Sequence, residues 1–258
     1  MSDMMKKDPM LSVVIPARNE AESLRVTIMK IVATLDGEQV PFEVLVVDDH
    51  STDSTKEELA VLGGKDGRIR CVQNDYPQGF GFAVRKGLDV YKGDAVVIMM
   101  ADNSDEPADL LKYYRKIQEG YDCVFGTRFA KRTKVTDYPQ HKLIFNRFGN
   151  WFIQLLFWLP YNDVTNAFKC YRREVIDGIR PLVSCHFNLT VEMPLKAIVR
   201  GYTWCVVRTN WYGREKGVSK WKIKELGSRY MFIILYVWLE KALTRGDYQK
   251  GKYWLKGR

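Results

Sequence analysis

The segment from Ala95 to Pro107, AVVIMMADNSDEP, constrains the fold more than any other stretch of the chain. Its first six residues are apolar and three of them are β-branched, which predicts a strand buried on both faces, as in a parallel sheet. Acidic and polar residues follow at once, and Pro107 suits the first turn of a helix. Side chains at the carboxyl end of a central parallel strand lie where open α/β sheets bind ligands.

The acidic turn, residues 102–106, fits two interpretations when this segment is considered alone. Asp102, Ser104 and Asp105 offer oxygen ligands of the kind that Mg²⁺ takes when it bridges to substrate phosphates. The same residue types are also favoured at the solvated N-terminus of a helix. The choice between a metal site and a helix start therefore depends on the rest of the chain.

Segments that predict strands alternate along the chain with segments that predict helices. In the first predicted helix, after Glu20, the apolar residues that recur at the spacing of one buried face are Leu24, Ile28, Ile31, Val32 and Leu35. The predicted strands are 11–15, 42–47, 68–73, 95–100, 122–125 and 204–211. This alternation is typical of an α/β fold with a mostly parallel central sheet.

Four of the predicted strands end in polar residues. These ends are Ala17-Arg18-Asn19-Glu20, Asp48-Asp49, the acidic turn, and Gly126-Thr127-Arg128. Because the carboxyl ends of parallel strands share one edge of the sheet, we expect them to form a single site. Gly79 and Gly81 precede a further predicted helix, and glycines at such a position allow a ligand to approach backbone N–H groups, although the signal is weak.

The composition predicts a folded protein with polyanionic partners. Of its 258 residues, 46% are hydrophobic, and 40 Lys and Arg against 31 Asp and Glu give a net charge of +9. Such a charge suits nucleotide phosphates, nucleic acid or an anionic membrane, but no recognised nucleic-acid motif accompanies it. The five scattered cysteines contain no C-x-x-C pair, which predicts reduced core residues in a cytosolic compartment.

Two apolar segments favour either a buried helix or a helix at a membrane surface. Residues 143–160 carry Trp151 and Trp158, and residues 231–239 form the longest apolar run, nine residues, against about 18 for a membrane span. The tail after residue 240 is basic and contains aromatic residues, which is typical of a peripheral anchor for anionic lipid. A helix docked on its own domain is the alternative for this tail.

Seven segments occur in order between residues 11 and 225: SVVIPARNE, EVLVVDDHSTDST, GFGFAVRKGLD, the acidic turn, FGTRF, DVTNAFKCYRREV and REKGVSK. Together they resemble the family 2 glycosyltransferases, specifically the branch of dolichol-phosphate mannose synthase and its bacterial polyprenyl-phosphate relatives. The resemblance implies a single GT-A domain, a Rossmann-like nucleotide-sugar-binding fold, over residues 11–225. Residues 1–10 are then an N-terminal extension, and residues 226–258 an apolar helix and basic tail that associate with a membrane.

The resemblance also assigns residues to the nucleotide-sugar donor and its metal. The residues expected at the donor are Pro16, Ala17, Arg18, Glu20, Asp48, Asp49, Gly79, Gly81, Lys86, Ala101, Asp102 and Asn103. The metal, Mg²⁺ or Mn²⁺, is expected at Asp102, Ser104 and Asp105. The chain departs from the family at this point, because the branch reads M-D-A-D where this chain has Met99-Met100-Ala101-Asp102. The first acid of the D-x-D motif is thus missing, which predicts weaker metal binding.

A second group of residues resembles the site for an acceptor phosphate. It consists of Arg128, Arg147, Arg214, Ser219 and Lys220, and arginine suits this task because its planar fork binds phosphate oxygens at two points. The expected catalytic residues are Asp102, Arg128 and Arg214. Asn166-Ala167-Phe168 replaces the usual G-F of the family, so the sugar or acceptor pocket is expected to differ.

We therefore expect an inverting glycosyltransferase that acts on a polyprenyl phosphate at the cytosolic membrane face. Because a phosphate monoester is already anionic at pH 7, such an acceptor needs no strong base. A transferase acting on a hydroxyl would need one, and Asp163, Glu192 and Asp105 are the candidates. A third alternative is a protein that binds a sugar nucleotide without transfer, since Met100 replaces an acid.

Overall fold

The computed structural model describes residues 8–213 and 223–251 of the chain, with residues 141–142 and 223–226 described as backbone alone. Strands and helices alternate in these ranges. In chain order they are β1 (Leu11–Ala17), α1 (Ala21–Gly37), β2 (Phe42–Asp48), α2 (Thr55–Lys65), β3 (Ile69–Gln73), α3 (Phe80–Val90), β4 (Ala95–Ile98), α4 (Asp109–Gln118), β5 (Cys123–Thr127), α5 (Gln140–Phe157), β6 (Lys169–Arg172), α6 (Arg173–Gly178), α7 (Leu189–Val199), β7 (Trp204–Arg208) and α8 (Ile223–Leu243).

The strands form one sheet in the order β3-β2-β1-β4-β6-β5-β7. All neighbouring strands are parallel except β6, which runs antiparallel to both β4 and β5. The prediction of a mostly parallel α/β sheet is confirmed. The sequence did not predict β6, because Lys169–Arg172 is only four residues long and has a charged residue at each end.

Two strand boundaries differ from the prediction. β1 continues through Pro16 to Ala17, although we expected Pro16 to end it. Proline is tolerated here because β4 pairs with β1 only as far as Val14, so no strand on that side needs an N–H donor from Pro16. β4 ends at Ile98 instead of Met100, so the acidic turn begins close to the sheet.

Helices cover both faces of the sheet, and the side chains of the central strands alternate between them. Val13, Ile15, Val44 and Val46 face a core shared with α1, α2 and α4. Val14, Leu45 and Val47 face a second core shared with α3, α5, α6, α7 and α8. Of the cysteines, Cys123 and Cys170 are buried as expected, whereas Cys71 on the edge strand β3 is exposed.

The C-terminal helix is docked on this second core. Ile233, Ile234 and Val237 of α8 are buried there, and the predicted boundary at residue 225/226 falls within the first turn of α8. Beyond the helix, Lys250 Nζ pairs with Asp122 at 2.8 Å. In residues 8–213 and 223–251, none of the helices is long and apolar enough to span a bilayer.

Candidate active site

The carboxyl ends of β1, β2, β4 and β5 meet at one cavity of about 1050 Å³. The lining residues that follow these strand ends are Arg18 and Glu20, Asp49, Asp102 and Asp105, and Arg128. Pro16 and Ala17, the last residues of β1, also line the cavity. The polar strand ends thus converge on one place, as their parallel arrangement predicts.

Of the two acids at the carboxyl end of β2, Asp49 lines the cavity and Asp48, the last residue of the strand, does not. Asp49 accepts hydrogen bonds from Asn74 Nδ2 at 2.7 Å and from the backbone N–H of Gly79 at 3.0 Å. Asp48 is buried, and its Oδ1 accepts a hydrogen bond from the backbone N–H of Ser51 at 3.2 Å. Of the two acids predicted at the donor, Asp49 therefore lies at the cavity, whereas Asp48 shapes the turn that follows.

Near the N-terminus of α3, Gly79 lines the cavity, but Gly81 and Lys86 do not. A Cβ atom on Gly81 would lie 2.5 Å from the carbonyl carbon of Cys185, so this glycine is needed for close packing of a protein loop. Lys86 Nζ lies 2.7 Å from a carboxylate oxygen of Asp75 at the surface. The structure thus places both residues outside the cavity, Gly81 in a packing contact and Lys86 in a surface ion pair.

Ala101 and Asn103, which the resemblance assigns to the donor, do not line the main cavity. Ala101 is buried, and its carbonyl oxygen accepts a hydrogen bond from Thr27 Oγ1 at 3.1 Å. Asn103 has a positive φ of 59°, and its Oδ1 accepts a hydrogen bond from Lys30 Nζ at 3.0 Å. Asn103 lines a separate cavity of about 340 Å³ on the far side of the turn.

Asp102, Ser104 and Asp105 line the main cavity together. Oδ2 of Asp105 accepts a hydrogen bond from the backbone N–H of Met100 at 3.1 Å. The Asp105 carboxylate is therefore held against the residue at which the family has its first acid. Burial, together with the charge of Asp102, raises the pKa of Asp105 to about 7.

These oxygen donors fit a hard divalent cation. Burial is the main cause of the raised pKa of Asp105, and the Asp102 carboxylate adds negative charge that a cation would compensate. In the part of the chain that the structure describes, no three His, Cys, Asp or Glu side chains form a group able to hold a metal. Mg²⁺ in proteins commonly takes one or two carboxylates together with substrate phosphates, and Asp102 and Asp105 could supply the carboxylates.

Arg128 is buried at the edge of the cavity and is held by Asp163. Its Nε and Nη2 donate to the two carboxylate oxygens at 2.9 and 2.7 Å, and its backbone N–H donates to Oδ2 at 2.8 Å. Burial alone would lower the pKa of Arg128, but the Asp163 carboxylate outweighs burial and raises it. A fixed positive charge therefore faces the cavity at every physiological pH.

Arg147 does not line the cavity but shares an aromatic neighbour with Arg128. The guanidinium carbons lie 4.8 Å (Arg147) and 5.4 Å (Arg128) from the ring centroid of Phe129. On the other side, Arg128 lies 5.7 Å from the ring centroid of Tyr138. The remaining residues assigned to the acceptor phosphate, Arg214, Ser219 and Lys220, lie outside the described residues.

Two of the three candidate bases, Asp163 and Glu192, have structural partners in the described residues. Asp163 is fully buried and both of its oxygens are used by Arg128. Glu192 is also fully buried, accepts hydrogen bonds from the backbone N–H groups of Val183 and Ser184, and pairs with Lys196 at 2.7 Å. Neither carboxylate lines the cavity, so neither is placed to take a proton from an acceptor.

Comparison with known proteins identifies the family. The model of the family described as Glycosyl transferase family 2 matches residues 12–180, which is more than half of the chain. The chain belongs to glycosyl transferase family 2.

Two similar proteins carry names from the lipid-phosphate branch of this family, and a third is named as a glycosyltransferase. The polyprenol monophosphomannose synthase of Mycolicibacterium smegmatis is 30% identical over 81% of this chain and 79% of its own length. The dolichol-phosphate mannosyltransferase of Pyrococcus furiosus is 29% identical over 84% of this chain. The glycosyltransferase AglD of Haloferax volcanii is 28% identical over 81% of this chain. The chain spans 60% of the Pyrococcus relative and 34% of AglD.

Solved structures support the same fold. Glucosyl-3-phosphoglycerate synthase from Mycobacterium tuberculosis, crystallised with Mn²⁺, UDP and phosphoglyceric acid, superposes with a TM-score of 0.66. The superposition covers 90% of this chain and 78% of that chain, at 19% sequence identity. The family 2 glycosyltransferase described here therefore has the GT-A fold.

The cavity of this glycosyltransferase also has an apolar half that the sequence did not predict. Its lining residues come from α5 and α8 and include Phe145, Phe148, Phe152, Tyr230, Met231 and Ile234. Three of them are also exposed to solvent: Phe145 (55%), Phe148 (65%) and Met231 (44%). The apolar half of the cavity therefore continues onto an exposed apolar surface.

Trp211 is a further cavity residue that sequence analysis missed. It forms an isolated antiparallel bridge with Asp105 and packs at 4.9 Å against the ring of Tyr138. The available signal was its position, three residues before Arg214 at the start of the basic motif. The predicted strand 204–211 includes Trp211 as its last residue, whereas β7 ends at Arg208.

Proposed function

We propose that this protein transfers a glycosyl group from a nucleotide-diphosphate sugar to a polyprenyl phosphate, with inversion at the anomeric carbon. One observation carries the proposal. A single cavity joins an acidic turn, a buried arginine and an apolar half that reaches the surface. These three parts correspond to a metal-bound diphosphate, an acceptor phosphate and an acceptor lipid chain. The names of the similar synthases from Mycolicibacterium and Pyrococcus point to the same acceptor class.

At the donor end, Arg18, Glu20 and Asp49 would bind the nucleoside. Asp102 and Asp105 would hold Mg²⁺ or Mn²⁺, with Ser104 or water completing the oxygen ligands. When bound, this ion would neutralise the charge that gathers on the departing diphosphate. The hydrogen bond from Met100 N–H to Asp105 supports the view that Asp105 takes the place of the missing acid.

At the acceptor end, Arg128 would bind and orient the phosphate. An oxygen of the acceptor phosphate attacks the anomeric carbon, and the bond from this carbon to the diphosphate oxygen breaks. No proton has to be removed, because the phosphate monoester is already anionic. The structural roles of Asp163 and Glu192 are consistent with such a base-free reaction.

For access to a lipid acceptor, the apolar surface of α5 and α8 would rest on the cytosolic membrane face. The exposed residues on this surface include Trp151 and Leu155 of α5, Trp158 directly after α5, and Phe232, Leu239 and Leu243 of α8. Tryptophan is favoured at the boundary between headgroups and acyl chains, and exposed basic residues such as Arg147 and Arg245 suit anionic lipid. The protein would thus associate peripherally, through α5 as well as α8.

A hydroxyl acceptor is the second candidate, favoured by one observation. Asp105 lines the cavity with a pKa raised to about 7, which suits a general base. In that case Asp105 would take the proton of the hydroxyl instead of binding metal.

The test is a donor panel with and without lipid. GDP-mannose, UDP-glucose and UDP-N-acetylglucosamine are incubated with Mg²⁺ or Mn²⁺, with or without polyprenyl phosphate, and the released nucleoside diphosphate is measured. We expect lipid-dependent release from one donor. Release that requires a soluble saccharide instead would support the hydroxyl alternative. Arg128→Lys should raise the KM for the lipid, whereas the matched change Arg132→Lys on the exposed loop should not.

A further inference from the structure

We propose that the indole ring of Trp211 is the platform on which the transferred sugar ring lies. The inference rests on the proposed function, which places the donor diphosphate at the acidic turn and the acceptor phosphate at Arg128. In a direct displacement the sugar must lie between these two groups. Trp211 is half-buried and lines the cavity in this region.

The backbone of Trp211 is fixed to the acidic turn on one side. Trp211 bridges to Asp105, and the next N–H, that of Tyr212, donates to the carbonyl oxygen of Ser104 at 2.9 Å. On the other side, Trp211 N–H donates to the carbonyl oxygen of Lys134 at 2.9 Å. The N–H of Thr136 donates to the carbonyl oxygen of Trp211 at 3.2 Å. The indole is therefore held in register with the residues expected to bind the diphosphate.

The ring also connects to the acceptor arginine through one intermediate side chain. The ring centroids of Trp211 and Tyr138 are 4.9 Å apart, and the guanidinium carbon of Arg128 lies 5.7 Å from the Tyr138 centroid. Tyr138 therefore contacts both Trp211 and Arg128. Within residues 8–213 and 223–251, Tyr138 is the only aromatic ring packed on Trp211, and Trp211 is only partly buried where it lines the cavity.

The chemistry of the sugar ring favours this surface. One face of a pyranose presents C–H groups, whose slight positive charge is attracted to the negative face of an aromatic ring. On the β6 side of the cavity, Asn166 has both amide atoms engaged. Its Nδ2 donates to the carbonyl oxygen of Gly126 at 3.1 Å, and its Oδ1 accepts from the N–H of Phe168 at 3.2 Å. The indole face of Trp211 supplies the aromatic surface that this contact with the sugar ring needs.

The experiment compares binding of a nucleotide sugar with binding of the nucleoside diphosphate alone. Wild type, Trp211→Ala, Trp211→Phe and the control Trp158→Ala are titrated calorimetrically with GDP and GDP-mannose, and with UDP and UDP-glucose, in the presence of Mn²⁺. Trp158 is a matched control because it is 85% exposed and lies outside the cavity. No lipid is present, so failure of transfer to polyprenyl phosphate would not alter the result.

We expect Trp211→Ala to weaken binding of the preferred nucleotide sugar about tenfold, while binding of its nucleoside diphosphate changes less than about twofold. Trp211→Phe should keep most of the affinity, and Trp158→Ala should equal wild type. An equal loss for both ligands, or no loss for either, would overturn the inference. If Trp211→Ala unfolds, Trp211→Leu provides the same test with a bulkier side chain that still lacks an aromatic face.

Discussion

The ammonium group of Lys169 donates a hydrogen bond at 3.1 Å to the carbonyl oxygen of Thr190, which Pro194 leaves without its helical donor. Proline has no N–H group, so the carbonyl four residues earlier in α7 needs another partner. The same ammonium donates to the carbonyl oxygens of Val164, at 2.9 Å, and Asn166. One buried side chain therefore joins α7 to the turn that carries Asp163, the partner of Arg128.

Replacement of Lys169 by Met should destabilise the protein, because buried carbonyl groups lose their donor. We expect the free energy of unfolding at pH 7 to fall by about 1–3 kcal/mol, measured by urea denaturation. Lys86→Met, which removes an ion pair at the surface, should leave it close to the wild-type value. Equal effects of the two changes would contradict the role of Lys169.

The pH dependence gives an independent check on Lys169. Burial is the main cause that lowers its pKa to about 7, and Arg128 adds to this while Asp163 opposes it. Above that pKa, and up to the ordinary lysine value, the unfolded chain binds a proton that the folded protein has lost. Lys169 therefore adds stability as pH rises through this window, with a slope of at most about 1.4 kcal/mol per pH unit. The Lys169→Met variant should lack this increase.

Glu192→Gln should separate a structural role from a catalytic one. The change leaves Lys196 buried without its carboxylate partner, so we expect a loss of about 3–5 kcal/mol in unfolding free energy. At a temperature at which the variant is folded, kcat should stay within about twofold of wild type, because no proton transfer is removed. A folded variant with no turnover would show that Glu192 is a base after all.

Metal affinity should depend on Asp105 and respond to residue 100. We expect Asp105→Asn to weaken Mn²⁺ binding in the presence of nucleoside diphosphate about tenfold or more, measured by calorimetry. Glu106→Gln is the control, since Glu106 does not line the main cavity. Met100→Asp should strengthen Mn²⁺ binding. If neither Asp105→Asn nor Met100→Asp changes the affinity for Mn²⁺, the metal does not bind at this turn.

The surface of α5 and α8 should bind anionic vesicles. We expect co-sedimentation of the protein with vesicles containing phosphatidylglycerol, and about a tenfold loss of binding in the double variant Trp151→Ser, Trp158→Ser. The double variant Val26→Ser, Met29→Ser is the control, because these exposed residues lie on α1, away from the cavity. Equal binding of both double variants would argue against this surface.

The sequence predicted the features that follow from local patterns. Short apolar runs and helical spacing identified most strands and helices, including the buried positions Leu24, Ile28, Ile31 and Leu35 of α1. The parallel arrangement then brought four strand ends to one cavity. The antiparallel strand β6 escaped prediction because its pairing with β4 and β5 depends on contacts distant in the chain, and its first residue, Lys169, resembles a surface residue.

Individual roles at the site could not be predicted, because they depend on burial and on partners in space. Gly81 and Asp163 belong to motifs that resemble ligand-binding segments, yet one packs against Cys185 and the other holds Arg128. Conversely, Trp211 and Phe148 belong to no assigned site motif but line the cavity. A sequence pattern indicates which residue types are present, whereas the fold decides which of them face the substrate.

The most direct measurement compares polyprenyl phosphate with the corresponding polyprenol as acceptor, using the preferred nucleotide sugar and detecting the glycosylated lipid by mass spectrometry. The two lipids share the apolar chain and differ only in the anion that Arg128 is proposed to bind. We predict a glycosyl phosphate lipid from polyprenyl phosphate and no product from polyprenol. Efficient glycosylation of polyprenol, or of a soluble saccharide in the absence of lipid phosphate, would contradict the account.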